Sequence, residues 1–267
     1  MSPARLALIL VFAFGSHLAV FSAAVQLPSP MTAQSPQRDQ QAFAMLQQSI
    51  AAMANGIPTD SSATGTVTVV EGSTTQTGTI QILTLGATQT SETLTLHEGQ
   101  RTVVYSNGAA KEINGSQSSS PPVELALTDQ CADFPLPLLL SSLSNSDEAI
   151  HYVGAETLDG QAVQHIQVWN TFASKPRLQK LASFSKRDIW LNSSSGVPTK
   201  ISYSRRGGGE GVPAFPVEIT FSKYTNVNGV LYPFEISKSY NGTPWISITI
   251  SSVSFDTGLA ASQFQVE

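Results

Sequence analysis

The sequence predicts a mainly β protein in which a single long antiparallel sheet carries helices on one side. Three runs of alternating apolar and polar residues between positions 217 and 255 are separated by two Asn-Gly pairs, which favour tight turns. A further pair of alternating runs flanks Asp159-Gly160, which predicts a two-residue hairpin. One stretch near the start of the chain has apolar residues at helical spacing instead.

The composition indicates one exported domain. The 267 residues lie within the range of single all-β domains, and charged residues make up 12% of them against roughly a quarter in ordinary soluble proteins. The net charge of -5 and the lack of a Lys/Arg cluster argue against nucleic acid or an anionic membrane surface as a partner. With Cys131 as the only cysteine, no intramolecular disulfide is expected.

Residues 1–24 have the pattern of a cleavable secretory signal. A basic residue precedes an apolar core, and Ser22 and Ala24 are the small residues that a signal peptidase reads. The alternative is an uncleaved anchor, but polar residues interrupt the apolar run well short of the ~20 residues of a membrane span. Residues 25–38, rich in Pro, Ser and Gln, are predicted to be a disordered tether, and residues 39–267 one domain.

The helical spacing predicts a helix from about Arg38 to Ala54. Ser35 would cap it with Pro36 as the first helical residue, and Asn55-Gly56 would end it. This helix is either a fixed plug that fills the end of a β-barrel, which the spacing favours, or a mobile lid over a ligand cavity. Its apolar stripe consists of Phe43, Leu46, Ile50 and Met53.

The middle of the chain is predicted to form strands and one short helix. Residues 107–122 contain Gly, Ser, Asn and two prolines and are predicted to be a mobile loop or an insertion. Leu-rich residues 136–143 predict a second short helix docked on the apolar face of the sheet, and residues 205–213 a flexible excursion. Strands are predicted at 64–70, 77–84, 87–96, 100–106, 149–158, 161–170, 187–192 and 199–204.

A register can be predicted for the last hairpin, because directly opposed residues share a face of the sheet. A three-residue loop at 240–242 keeps the apolar rows together and leaves Trp245 on the solvent face, whereas pairing of Tyr240 with Thr243 would make Trp245 a cavity candidate. Pro233 cannot donate to a ladder, so a bulge is expected beside it. The predicted opposed pairs are Ser239 with Thr243, Ile236 with Ile246 and Phe234 with Ile248.

Three segments resemble the LolA-like superfamily of half-open β-barrels, which includes periplasmic lipoprotein carriers and mycobacterial lipid-binding lipoproteins. They are KYTNVNGVLYPFEISKSYNGTPWISITISSVSFD, YVGAETLDGQAVQHIQVW and DIWLNSSSGVPTKISYS, and together they cover most of residues 149–255. The resemblance implies that the sheet curves without closing and that the two helices cover its concave face. It does not extend to the N-terminal half, so no functional residue of the family, its polar lid residue included, is carried over.

The sequence lacks the common motifs of an enzyme. It has no Gly-x-Ser-x-Gly nucleophile elbow, and His97, His151 and His165 are not at metal-ligand spacing. The glycines at 207–209 are not followed by the Lys-Ser/Thr of a phosphate loop. We therefore expect no cofactor and no metal, and we expect His165 to be a hydrogen-bonded strand residue. Catalysis by His165 or His151 with Asp188 is the alternative, and it requires that these groups meet in one pocket.

These observations predict an exported, monomeric carrier, soluble in the periplasm or outside the cell, that binds a lipid or the acyl chain of a lipoprotein. Such a site needs no signature residue, because each buried methylene contributes about 0.8 kcal/mol. The alternative is an envelope sensor or adaptor that uses the same concavity for a protein partner or a signal ligand, and an exposed Trp245 would favour it. The residues expected to bind the ligand are Phe43, Leu46, Ile50, Met53, Phe234, Ile236, Ile246 and Ile248.

Overall fold

The structure is a computed structural model and describes residues 36–130, 132–206 and 214–266. The predicted signal, Ser35, Cys131 and most of the predicted excursion at 205–213 lie outside these residues. Two 3-10 helices span Pro176–Ser185 and Ala261–Phe264. The other elements are α1 (Gln40–Met53), β1 (Asp60–Glu71), β2 (Thr74–Leu85), β3 (Gln89–Leu96), β4 (Gly99–Ser106), β5 (Ala109–Asn114), β6 (Gln117–Ser119), α2 (Val123–Asp129), α3 (Pro135–Ser144), β7 (Glu148–Leu158), β8 (Gln161–Asn170), β9 (Arg187–Asn192), β10 (Pro198–Arg206), β11 (Ala214–Val227), β12 (Val230–Tyr240) and β13 (Thr243–Phe255).

The described residues form one antiparallel sheet of thirteen strands. Consecutive strands pair with each other except β6 and β7, and in addition the first strand, β1, pairs with the last, β13. The two edges of this sheet are therefore β6 and β7, and the chain passes from one edge to the other through α2 and α3. A sheet of so many strands curls, and here it forms the half-open barrel that was expected.

The pairing of β1 with β13 contains a bulge that requires glycine. The register shifts between Thr64 and Gly65, so that Thr64 pairs with Ser252 and Gly65 with Ile250. A Cβ atom at Gly65 would collide with the carbonyl oxygen of Thr249. The two backbones thus approach closely at the bulge, and only glycine allows this approach.

The inner face of the sheet is apolar and packs against the helices. Along β1, Ala63, Val67 and Val69 are buried, whereas Thr66 between them is exposed. This alternation is the pattern expected of a strand with one covered face. The largest fully buried side chains form one core that unites sheet, α1 and α3, and they include Ile82, Ile150, Ile166, Ile189, Ile201, Ile219, Tyr232, Leu46, Met53, Leu136 and Leu139.

Helix α1 is confirmed, but its predicted start is wrong. Asp39 is the N-cap, because its carboxylate accepts hydrogen bonds from the backbone N–H groups of Gln41 at 2.8 Å and Ala42 at 3.2 Å. Pro36 is not helical. At the other end, Ala54 leaves the helix in an extended conformation and forms an isolated bridge with Val230.

Residues just before α1, which the sequence places in the tether, pair with β7. Arg38 forms a parallel bridge with Ile150. The N–H of Ile150 donates to the carbonyl of Gln37 at 3.0 Å, and the N–H of Asp39 donates to the carbonyl of Ile150 at 2.8 Å. The entry to α1 is therefore fixed to the sheet by backbone hydrogen bonds.

The predicted strands and the second helix are confirmed, with ends that differ by a few residues. The prediction of a loop at 107–122 is wrong, because β5 and β6 occupy most of it and β5 pairs with β4 over its whole length. Every residue of β6 is exposed, and a strand that buries nothing has the composition of a loop. The helix α2 and the 3-10 helix at Pro176–Ser185 were not predicted.

The predicted register of the last hairpin is wrong. Tyr240 pairs with Thr243 around a two-residue Asn241-Gly242 turn, and Ile236 pairs with Ile248 and not with Ile246. Asn241 has a φ of 51° and Gly242 a φ of 75°, as a two-residue hairpin turn of this type requires. The prediction failed because it assumed uniform pairing along the whole hairpin.

A bulge in β13 restores the isoleucines to the inner face. Lys238 pairs with Ile246 and Ser239 with Pro244, so Trp245 is the additional residue between them. No bulge lies beside Pro233 in the β11–β12 pairing, whose register is constant from end to end. The pairing of β12 with β13 instead ends at Glu235, so the missing N–H of proline removes no hydrogen bond to β13.

Asp60, the first residue of β1, holds the segment that follows β13. Its carboxylate accepts backbone hydrogen bonds from Thr257 at 2.8 Å, Gly258 at 2.9 Å and Leu259 at 3.2 Å, and one from the Thr257 hydroxyl at 2.8 Å. Burial raises the pKa of Asp60, but these hydrogen bonds outweigh burial, and the net result is a pKa below the ordinary value.

We therefore expect Asp60→Asn to lower the free energy of unfolding at pH 7 by about 1–3 kcal/mol, because the hydrogen bonds then end on a neutral acceptor. A carboxylate whose pKa is lowered by folding stabilises the protein above the unfolded pKa and loses this effect as the pH falls through the folded pKa. The difference between variant and wild type should therefore shrink in urea unfolding as the pH falls from 7 to 3. Asp159→Asn, in an exposed turn, is the control, and a difference for Asp60→Asn that stays constant with pH would contradict the assignment.

Candidate functional site: the inner face and its mouth

The eight residues expected to bind a ligand lie in or against one apolar core. In the structure α1 therefore occupies the space in which a ligand was expected. Its apolar stripe packs into the core that α1 shares with α3 and the sheet. Four of the eight are buried: Leu46, Met53, Ile236 and Ile248. The other four pack against the core with part of their surface exposed: Phe43, Ile50, Phe234 and Ile246.

Helix α3 and the residue before it fill the centre of the concavity. Phe134 packs on Tyr232 with ring centroids 4.5 Å apart and on Phe255 with centroids 6.2 Å apart. Leu136 and Leu139 of α3 are buried beside them. The hydroxyl of Tyr232 is buried and has no hydrogen-bond partner among the described residues, which is a polar feature in an otherwise apolar region.

A charged cluster is buried against this core. Lys238 of β12 places its Nζ atom 2.6 Å from Oδ1 and 2.8 Å from Oδ2 of Asp133, which precedes α3. The same Nζ lies 3.6 Å from Oε2 of Glu92 in β3. The Asp133 side chain is fully buried, and those of Lys238 and Glu92 expose 10% and 12%. The cluster therefore links the connection before α3 to strands from both halves of the sheet.

The protonation states in the cluster follow from burial and proximity. Burial and the negative charge of Asp133 raise the pKa of Glu92 well above its ordinary value, so a protonated Glu92 donates a hydrogen bond to Asp133. Burial also acts to raise the pKa of Asp133, but Lys238 and the hydrogen bond from Glu92 hold it below its ordinary value. The cluster thus favours the neutral form of Glu92 beside the ion pair of Lys238 and Asp133.

Part of the inner face is open and forms a pocket of about 340 Å³, the mouth pocket, between β1–β4 and β13. Arg101 and Glu112, which form an ion pair of 2.8 Å, contribute to its polar lining. Ile246 is the residue among the eight predicted ones that lines it. Its apolar lining consists of Val69, Leu94, Leu96, Trp245 and Ile246.

Trp245 does not lie on the solvent face as predicted. The β13 bulge turns its half-buried side chain towards Tyr240, with ring centroids 6.0 Å apart, and Arg205, whose guanidinium carbon lies 5.8 Å from the ring. A second pocket of about 450 Å³, the aromatic pocket, lies beside it and includes Phe215. Trp245 lines both pockets. This agrees with the alternative given in the sequence analysis, in which pairing of Tyr240 with Thr243 makes Trp245 a cavity candidate.

His165 is a hydrogen-bonded strand residue, as expected. Its Nδ1 lies 2.7 Å from Oε1 of Glu156 and its Nε2 lies 2.8 Å from Oδ1 of Asp188. The ring stacks on Trp190 with centroids 4.4 Å apart. The structure thus brings His165 and Asp188 together, whereas His151 is exposed and pairs with Gln167. Both ring nitrogens of His165 are hydrogen-bonded to carboxylates on the neighbouring strands, so His165 links three strands of the sheet.

Residues 36–130, 132–206 and 214–266 contain no group of three or more His, Cys, Asp or Glu side chains arranged to hold a metal ion. None of the helices in these ranges has the length and apolar character needed to cross a bilayer.

The fold, an open antiparallel sheet with a helix-covered inner face, is similar to that of LolA-like half-barrels of known structure. A domain from Vibrio parahaemolyticus assigned to outer membrane lipoprotein sorting has a TM-score of 0.58 at 14% identity over 84% of this chain and 96% of that one. A LolA superfamily protein from Nitrosomonas europaea gives 0.55 at 12% identity over 84% and 97%. A DUF1329 family protein from Desulfovibrio piger gives 0.56 at 10% identity over 86% and 98%.

Sequence comparison adds nothing to this likeness. No protein-family model matches the sequence, and the search of curated proteins finds no match. At identities of 10–14% the structural likeness shows the fold alone. The function has to be argued from the inner face itself.

We expect Lys238→Met to lower the free energy of unfolding by about 3–5 kcal/mol, because it leaves the Asp133 carboxylate buried without its cation. Lys223→Met is the matched control, since Lys223 lies on the neighbouring strand with a side chain that is 70% exposed and pairs with Glu235. The control should change stability little. Denaturant unfolding of both variants measures the difference, and equal effects would show that the buried cluster is not a structural tie.

Proposed function

We propose that this protein is an exported, monomeric carrier that binds an acyl chain, of a lipid or of a lipidated protein, on the inner face of its half-barrel. The observation that carries the proposal is the continuity of the apolar surface. The core under α1 and α3 is contiguous with Leu94, Leu96, Trp245 and Ile246, and these four residues line the open mouth pocket. An acyl chain that enters the mouth pocket therefore meets apolar surface that leads under the helices.

The attachment of α1 is consistent with either a lid or a plug. Its ends are held by hydrogen bonds to β7 and to the turn between β11 and β12: Asp39 N–H to the carbonyl of Ile150, and Asn55 N–H to the carbonyl of Gly229 at 3.1 Å. Its middle is held by the apolar stripe, in which Leu46 and Met53 are fully buried. A chain of ~10 methylenes gains several kcal/mol on burial, enough to replace part of the contact between helix and sheet. Binding and release would then need no chemistry.

The second candidate is an envelope sensor or adaptor that binds a protein partner at the aromatic pocket. Phe215, Tyr240 and Trp245 are all partly exposed there. Aromatic side chains beside an arginine are the residue types that dominate protein–protein binding sites. On this hypothesis the protein would bind no acyl chain, and the inner face would be an ordinary hydrophobic core.

The carrier is tested by Ile50→Ala and a fluorescent acyl probe. Ile50 is half-buried on α1, so in a lid that opens the substitution should cost less than the about 2–5 kcal/mol of a fully buried site. It should also weaken probe binding several-fold, because Ile50 contacts the chain as well as the sheet. Unfolding and probe titration are measured on the same preparation.

The control is Ile57→Ala, which removes the same atoms from an exposed side chain after α1 and should change neither quantity. If Ile50→Ala destabilises the fold as a core substitution does and leaves probe affinity unchanged, α1 is a fixed plug. If the wild-type protein does not bind the probe, the carrier proposal fails and the adaptor replaces it.

A further inference from the structure

A third pocket, of about 290 Å³, lies where the sheet fails to close and is called here the polar pocket. It is enclosed by α2, α3, the first residues of β7 and β9, the last residue of β8 and the turns before β3 and β5. Most of its lining residues are polar, among them Thr88, Asn107, Gln130, Asn145 and Asn170, although apolar atoms make up the larger part of the lining surface. This pocket adjoins the apolar inner face, because Leu138 of α3 lines the pocket and also belongs to the core.

The walls of the polar pocket are tied to each other. The Gln130 amide donates to the carbonyl of Thr88, which joins the end of α2 to the β2–β3 turn. The Arg187 guanidinium donates to the carbonyls of Leu127 and, at 3.2 Å, Thr128 in α2. The pocket is thus formed by side chains whose positions are already determined, as in preformed ligand sites.

Two buried groups in the lining, Arg187 and Ser142, have only some of the partners that such groups normally have. Arg187 is 8% exposed, and no carboxylate of the described residues forms an ion pair with it within 4.0 Å. Ser142 is 1% exposed, and its hydroxyl has no hydrogen-bond partner among the described residues. A buried cation is normally paired with an anion, and a buried hydroxyl is normally hydrogen-bonded. Both deficiencies are met by one ligand that carries negatively charged oxygen atoms.

The carboxyl group in the pocket limits the charge of this ligand. Glu148 is 6% exposed and accepts a hydrogen bond from Asn145 at 3.2 Å. Burial raises the pKa of Glu148 to about 7, although Arg187, Asn145 and Arg38 act in the opposite direction. Below this pH the carboxyl is neutral and the pocket holds the single charge of Arg187. A singly charged ligand balances that charge, whereas a doubly charged phosphate would exceed it.

We propose that the polar pocket binds a small organic acid as its carboxylate, which accepts hydrogen bonds from the Arg187 guanidinium and the Ser142 hydroxyl. A protonated Glu148 donates a third hydrogen bond to the ligand, and an ionised Glu148 repels it. Binding is therefore coupled to proton uptake. The carboxylate belongs either to a free small acid or to the end of a fatty acid that lies under α3.

Calorimetric titration of the full chain with propionate and with decanoate, at pH 6 and pH 8, tests the proposal. Wild-type affinity should be roughly tenfold higher at pH 6 than at pH 8. At pH 8 Glu148 is ionised in about nine-tenths of the protein molecules, and in these it must take up a proton before the anion binds. Glu148→Gln keeps the shape of the carboxyl and should bind at both pH values as the wild type does at pH 6. Binding of propionate identifies a free acid as the ligand, and binding of decanoate alone identifies a fatty acid.

Ser142→Ala should weaken binding roughly tenfold, the usual effect of removing a hydrogen bond to a charged group, and should not unfold the protein, since it removes only an unpartnered hydroxyl. Ser144→Ala, on the exposed side of the same helix, is the matched control and should bind as the wild type. The proposal is overturned if neither acid binds at millimolar concentration, or if binding is indifferent to both Ser142→Ala and pH. Ile50 does not line the polar pocket, so Ile50→Ala with the acyl probe tests the carrier separately.

Discussion

The antiparallel pairing of β1 with β13 is the contact on which the rest of the architecture depends. It joins the two ends of the folded chain, so that two meanders become one sheet whose free edges are β6 and β7. The connection from β6 to β7 joins these two edges, and it contains α2 and α3. The bulge at Gly65 allows the backbones to approach where the two meanders meet. The opening of the half-barrel and the position of its helices therefore follow from this seam.

An open curved sheet exposes a large apolar face, and this protein covers it with helices and not with a second sheet. α1 and α3 bury most of it, and the cluster of Lys238, Asp133 and Glu92 ties the connection before α3 to the sheet. Buried charges of this kind contribute little net stability but make one arrangement much better than its alternatives. α1 has no comparable buried ion pair among the described residues. The ends of α1 are instead held by backbone hydrogen bonds to Ile150 and Gly229.

The sequence allowed most of the fold to be predicted, because alternation and turn pairs are local signals. Asp159-Gly160 and the alternating runs around it correspond to β7 and β8. The errors occurred where local signals are absent. β6 buries nothing and was taken for a loop, and the β13 bulge at Trp245 changed the register of a hairpin whose apolar residues still face inwards. A bulge shifts the register of one strand against its partner by one residue. The residues on either side of the bulge do not indicate this shift in the sequence.

The candidate site could be predicted only in its apolar part, for the same reason. Phe43, Leu46, Ile50 and Met53 share one helix, and their spacing predicts that they lie on one face of it. Arg187, Glu148 and Ser142 lie on three different elements, and each of them is unremarkable in the sequence. They meet only because the seam between β1 and β13 places the opening between β6 and β7, where α2 and α3 cross it. Polar sites assembled from single residues on separate elements thus depend on the topology, and in this protein the topology follows from one long-range strand pair.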